Sequence, residues 1–230
     1  MNLFEVLWDR KWALRSIFST IYFNFKCLPL SQAWKLPVIL YKPHFQKLSG
    51  KVVLEGKVHL GVVQLGHYKV PFYPNSGVKI NLEGTIVFRG SCMMGNDSCL
   101  SVGKNAILTI GDHMYASSSL KLSCVNKVEI LENTTIGWDC IITDSDFHRM
   151  TKVDGGYTKG YGEIHIGKNN WLAAKCIVMK NTKTPDYCSI SASTTLNKDY
   201  SALGNNIVIG NKSEVEILRT GVYLNPYDDK

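Results

Sequence analysis

A chain of 230 residues is long enough for one sizeable hydrophobic core with decorated ends. Hydrophobic residues make up 45% and charged residues 20% of it, which excludes disorder of the chain as a whole. Lys and Arg number 26 against 19 Asp and Glu, a formal charge of +7, so phosphates and anionic lipid surfaces are favoured partners; no nucleic-acid partner is expected.

At the N-terminus, Glu5, Asp9, Arg10, Lys11 and Arg15 precede the first apolar stretch, and no small-residue cleavage site follows. A secretory leader is therefore not expected, and the protein is placed in the cytoplasm. Leu14, Ile17, Phe18, Ile21, Tyr22 and Phe25 fall on one face of a helix, with Arg15, Ser19 and Thr20 opposite. The uncharged run from Ser16 to Phe25 is too short to span a bilayer. Two readings of the apolar face stay open. It packs on the body of the protein or on a neighbouring subunit, or residues 1–25 make a peripheral contact with the inner face of the membrane. Pro29, Pro37 and Pro43 then predict an irregular connection over residues 27–50. Residues 1–50 are thus expected to form a helical extension.

From about Lys51 short β-prone stretches alternate with Gly, Asn and Asp. Aliphatic residues recur every six positions at Ile130, Ile136 and Ile142, and again at Ile166, Leu172, Val178, Ile190 and Leu196, with Thr184 the polar member of that second series. Ile-Gly pairs occur at Ile110-Gly111, Ile136-Gly137, Ile166-Gly167 and Ile209-Gly210. A period of six is neither helical nor a simple alternation. It fits a prism of three short strands per coil, in which every sixth side chain enters the same edge and Gly or Asn takes the positive φ at each corner. Seven cysteines, at 27, 92, 99, 124, 140, 176 and 188, contain no CxxC pair and read as small buried hydrophobes, not as metal ligands. The β-helix is expected over residues 51–200, followed by a C-terminal arm over residues 201–230.

The period lapses over residues 143–163, which predicts a long loop of functional weight. It opens Thr143-Asp144-Ser145-Asp146-Phe147-His148. If these residues continue a strand, Asp144, Asp146 and His148 share a face, and a carboxylate on one ring nitrogen leaves the other as a base for a hydroxyl proton. Which carboxylate orients the ring stays open. No GxxxxGK[ST] run supports nucleotide hydrolysis.

The hexads, the D-x-D-x-H run and the resumption IHIGKNNWLAAKCIVM resemble the hexapeptide-repeat acyltransferases, in particular the galactoside/maltose acetyltransferase-like and capsular-polysaccharide O-acetyltransferase branches. The resemblance covers roughly residues 51–215 and implies an all-β, left-handed parallel β-helix that transfers an acetyl group from acetyl-CoA to a sugar hydroxyl, without a metal. It implies a homotrimer with CoA sites between subunits. His148 takes the place of the histidine that deprotonates the acceptor, and Ser119 in YASSSLKL that of a polar residue near the acceptor or oxyanion. Trp171, Ala173 and Ala174 match the start of the CoA-lining coil; Ser191 and Ala192, one coil on, stand where the family has Gly-Ala, and Lys198 matches a basic residue near the CoA terminus. Residues 18 apart stack in an 18-residue coil, so Ala174 and Ala192 are expected to form one smooth wall. Surface polysaccharide or lipid-linked glycan is the expected acceptor; serine, a nucleotide-sugar or a non-catalytic scaffold are the alternatives. A γ-class carbonic anhydrase would need further zinc-binding histidines near His148, where Thr143 and Val153 stand instead.

Overall fold

The computed structural model describes residues 13–153, 155–211 and 215–220. Most of these described residues are wound into coils of three short strands, and among them the strands build three sheets of nine, seven and five strands, called A, B and C here. Neighbouring strands in each sheet are parallel except the last pair of sheet A, Ile207–Asn211 against Val215–Thr220, which is antiparallel. The architecture is the left-handed parallel β-helix, with an N-terminal helix. Sheet A follows sheet C and precedes sheet B along each coil, which defines three edges, A/B, B/C and C/A.

The hexad residues line the interior. Ile130, Ile136, Ile142, Ile166, Leu172, Val178, Ile190 and Leu196 are all buried, and each contributes about 1.5–3 kcal/mol of transfer free energy. Thr184 is buried in the same series. Its hydroxyl donates to Asn170 Oδ1 at 2.7 Å and accepts the Gly167 N–H at 3.0 Å, so the polar hexad costs no unpaired group. All seven cysteines are free, and six are buried.

The corners correct the expected role of glycine. Positive φ falls on Asn133, Asp139, Asn169 and Ser193, not on the Ile-Gly glycines. Gly111, Gly137 and Gly167 are required for a different reason, close approach between coils. A Cβ on Gly137 would lie 2.8 Å from the backbone carbon of Ala173, and one on Gly167 would lie 2.4 Å from the Pro185 oxygen. The left-handed conformation goes to polar residues beside them, where Asn and Asp tolerate it.

The first coil begins earlier than expected. Val38–Leu40 pairs with Val63–His67 in sheet A, and Pro43–Leu48 pairs with Val78–Leu82 in sheet B, so the stretch read as irregular over 27–50 is regular from Val38 onwards. Pro43 opens an edge strand, where its missing N–H is tolerated. At the other end a turn of 3-10 helix, Ser201–Leu203, precedes the strand Ile207–Asn211. The expected arm over 201–230 therefore starts by completing sheet A, and its last ten residues lie outside those described.

Helix α1 (Ile17–Cys27) and the short helix α2 (Leu30–Ala33) close the N-terminal end of the stack. The buried face of α1 is Thr20, Phe23, Asn24 and Cys27, while Leu14, Phe18, Ile21, Tyr22 and Phe25 are exposed. Of the predicted apolar face, Ile17 is half-buried and the Tyr22 ring lies 6.1 Å from that of Phe45, but the greater part is left uncovered by the described residues. The reason is hydrogen bonding: Val38–Leu40 is an edge strand, and the helix supplies its missing partners. Asn24 donates to the Val38 oxygen at 2.7 Å and accepts its N–H at 3.1 Å. Thr20 accepts the Leu40 N–H at 3.1 Å, and Ser16 accepts the Lys42 N–H at 2.8 Å.

Candidate functional site

The expected loop leaves the stack at the B/C edge. Thr135 pairs with Trp171, a separation of 36 residues, whereas Trp171 pairs with Ser189, a separation of 18. One coil is thus twice its neighbour's length, and the excess forms an arm between Thr143 and Glu163. Ser145 and Tyr161, and further out Thr151 and Tyr157, make antiparallel bridges. The Asp146 N–H donates to the Gly160 oxygen at 2.8 Å, and the Thr158 N–H to the Met150 oxygen at 2.9 Å. The arm is a two-legged ribbon, and a Cβ on Gly160 would sit 2.5 Å from the His148 oxygen. Tight crossing of the legs fixes the backbone at His148.

His148 is exposed, and its ring makes no hydrogen bond or ion pair among the described residues. Phe147, immediately before it, takes a left-handed φ of 61°, a conformation that a bulky residue adopts only when its surroundings impose it. The Phe147 N–H donates to Ser145 Oγ at 2.9 Å, and that hydroxyl donates to the Gly160 oxygen at 3.1 Å, which is the local constraint.

Neither carboxylate touches the imidazole in the single chain. Asp144 is fully buried and accepts the N–H groups of Val125, Asn126 and Lys127 at 2.7, 2.7 and 2.8 Å. These N–H groups belong to the coil below, whose B/C corner would otherwise lie under the departing arm without a strand partner. Burial, and after it the Asp144 charge, raises the thiol pKa of neighbouring Cys124 to about 12. Asp146 pairs with the ammonium of Lys180, which also donates to the Lys159 oxygen at 3.2 Å. The extended run that would set Asp144, Asp146 and His148 on one face is broken by the turn at Phe147.

The remaining candidates divide between two edges. Ser119 turns the A/B corner with φ 61°, is buried, gives its N–H to the Asn96 oxygen at 2.9 Å and has Lys121 Nζ 3.4 Å from its hydroxyl. Trp171 lies in the strand entering the same edge and is 38% exposed. Ala173 and Ala174 follow it, and the 18-residue register places Ser191 and Ala192 beside them in the next coil. Backbone bonds from Ala173 to Ile190 and from Ser193 to Ala174, both 2.9 Å, hold the two coils together. Lys198 is exposed at the B/C edge, where its carbonyl accepts the Lys183 N–H at 3.1 Å. Within one chain, Ser119 and the small-residue wall stand on one side of sheet B, and His148, Asp146 and Lys198 stand on the other.

A groove of about 780 Å³ crosses the outer face of sheet B between these edges, from Ser76 and Asp97 to Thr143 and Phe147. Lys79 and Lys121 line it on either side of Cys99, with which both are in register. Burial raises the Cys99 thiol pKa, and the two lysines act in the opposite direction. Lys79, Lys121 and Lys180 escaped the sequence reading. Lys180 was findable, because it precedes Lys198 by one coil; the groove lysines were not, since the first coils exceed 18 residues. Among the described residues no group of three or more His, Cys, Asp or Glu side chains could hold a metal ion.

The fold, a stack of hexad coils, is one that a solved acetyltransferase structure shares. The chain is similar to the polySia-specific acetyltransferase NeuO, with 15% identity over 83% of this chain and 79% of that one and a TM-score of 0.54. It is also similar to a hexapeptide-repeat acetyltransferase of Vibrio cholerae O1 biovar eltor complexed with acetyl coenzyme A, with 11% identity over 94% and 88% and a TM-score of 0.42. The polysialic acid O-acetyltransferase OatWY aligns at 15% identity over 80% and 90%, with a TM-score of 0.37. At these identities the likeness is one of fold. No family profile and no curated protein matches the sequence.

Proposed function

We propose that the protein is an acetyl-CoA-dependent O-acetyltransferase acting on a sugar hydroxyl of a surface polysaccharide or lipid-linked glycan. The observation that carries this reading is the arm, whose Phe147 lines the sheet B groove and whose next residue, His148, is exposed with no hydrogen bond or ion pair among the described residues. In the reaction, His148 takes the proton of the acceptor hydroxyl as its oxygen attacks the thioester carbonyl. The tetrahedral intermediate collapses, the carbon–sulfur bond breaks, and the imidazolium returns its proton to the thiolate, giving an acetyl ester and free CoA. Ser119 would donate to the acceptor or the oxyanion, and Trp171, Ala173, Ala174, Ser191 and Ala192 would line the pantetheine arm, with Lys198 at the anionic end of CoA.

The separation of these residues across sheet B supports a homotrimer. Packed side by side about a three-fold axis, each subunit would bring its A/B edge against the armed B/C edge of the next, completing a site that one chain leaves divided. The fold likeness to a polySia-specific acetyltransferase supports a glycan acceptor, and the groove lysines suit an anionic one. Serine or a nucleotide-sugar would use the same chemistry.

The test is CoA thiol release from acetyl-CoA with a panel of glycans, serine and nucleotide-sugars. Release with a glycan, reduced about 10²- to 10⁴-fold in His148→Ala, is expected. Release with serine or a nucleotide-sugar alone moves the acceptor class. Undiminished turnover in His148→Ala overturns the mechanism and leaves the fold as a scaffold.

A further inference from the structure

The N-terminal end of the stack carries a surface that acyl transfer does not use. A solenoid end is ordinarily closed by a cap with a polar outer face, since the core stripe must be covered and the new surface must stay in water. Here the outer face of the cap is apolar. Ser16, Thr20 and Asn24, four residues apart, point inward to the edge strand beside the buried Phe23 and Cys27, while Leu14, Phe18, Ile21 and Phe25 are exposed, with Tyr22 half-exposed against Phe45 and Trp34 exposed beside Phe25. Phe18 is 84% and Trp34 71% exposed. Contiguous exposed apolar surface of this kind marks a contact site.

The charge around the patch selects the occupant. Between residues 13 and 36 there is no Asp or Glu, while Lys26 and Lys35 are present and exposed. Two copies meeting end to end would oppose these cations and repel. The two aromatic types that favour membrane interfaces, Trp and Tyr, are both in the patch. No helix among the described residues is long and apolar enough to cross a membrane; the 11 residues of α1 reach about 16 Å, roughly half a hydrocarbon core.

We infer that this end of the molecule docks flat on an anionic phospholipid surface, with the α1 stripe and Trp34 below the headgroups and Lys26 and Lys35 among the phosphates. The inference is independent of the acyl-transfer reading.

The experiment is co-sedimentation of the full chain with vesicles of phosphatidylcholine alone and of phosphatidylcholine mixed with phosphatidylglycerol. Binding to the anionic vesicles, weakened by salt, is expected. The double variant Phe18→Ser/Trp34→Ser should bind about ten-fold or more weakly, because both side chains lose burial in the bilayer. Lys26→Glu/Lys35→Glu should lose the preference for the anionic vesicles. All four positions are solvent-exposed, so an unchanged thermal melt confirms that each variant is folded. Full-chain protein that stays in the supernatant with anionic vesicles overturns the inference, as does wild-type binding by the serine variant. Self-association that Phe18→Ser abolishes, without vesicle binding, assigns the patch to a second copy and equally overturns it.

Discussion

The coil stack and its two interruptions differ in how far they rely on buried polar side chains. Within the stack, each coil's backbone N–H and C=O groups pair mostly with the coils on either side, so the interior is filled largely by aliphatics such as Ile130, Ile136 and Ile142, with buried polar side chains such as Thr184 and Asn170 paired to one another. At the N-terminal end and at the root of the arm, a neighbouring coil is missing. There a buried polar side chain stands in for it: Asn24 for the edge strand Val38–Leu40, and Asp144 for the corner Val125–Lys127. Burial alone does not decide which face of an element turns inward. The count of unpaired backbone groups does.

Four substitutions test this contrast. The largest effect is expected inside the stack, where Leu172→Asp places an unpaired carboxylate at a fully buried position. Desolvation of the charge and loss of aliphatic packing together cost on the order of the whole stability of a domain, about 5–15 kcal/mol. Circular dichroism of the purified variant should show loss of the native fold; a cooperative melt near the wild-type temperature would contradict the picture of a dry interior.

The regular part of the stack was legible because the period survives in side chains that have one job. Ile166 through Leu196 repeat every six residues, and their strands pair at 18-residue intervals. Earlier coils were harder to read: Cys92 pairs with Met114 and Tyr115 with Thr135, intervals of 22 and 20 residues, because corner lengths vary while strand pairing does not. Helix α1 was legible as a helix but its orientation was not, since hydrophobic periodicity reports a stripe and not which side is buried. Ser16, Thr20 and Asn24 also have helical spacing, and only the edge strand they serve explains it. The arm that carries His148 was legible from the lapse of the period. The fates of Asp144 and Asp146 were not, because their partners, the Val125–Lys127 backbone and Lys180, come from neighbouring coils.

At the arm root, Asp144→Ala removes three charge-assisted acceptors at once. Leaving the Val125, Asn126 and Lys127 N–H groups unpaired costs about 1–3 kcal/mol each before relaxation, so the denaturant midpoint should fall by the equivalent of about 3 kcal/mol or more. A loss below about 1 kcal/mol would show that the corner finds other partners. Asn24→Leu is expected to cost about 2–4 kcal/mol, from the unpaired N–H and C=O of Val38. The sign matters more than the size here, since a polar-to-apolar change at a buried helical site would stabilise an element that needed only apolar filling.

The smallest effect is expected at Phe18→Ser, and it completes the contrast. Phe18 lies on the same helix as Asn24 but projects into solvent, with 84% of its surface exposed. It covers no core residue, so replacing it removes little burial, and serine lowers helix propensity only by a few tenths of a kcal/mol. Stability should stay within about 0.5 kcal/mol of wild type, a shift of about 2 °C or less in the melting midpoint, measured without lipid. A loss of about 3 kcal/mol, the scale of a buried aromatic, would mean that the apolar stripe is covered in solution by another part of the protein or by another subunit. The cap would then be an ordinary one seen without its cover. An unchanged melt, set beside a destabilised Asn24→Leu, would establish that α1 holds the stack by the face of Thr20, Phe23, Asn24 and Cys27 and leaves the Phe18 side unoccupied.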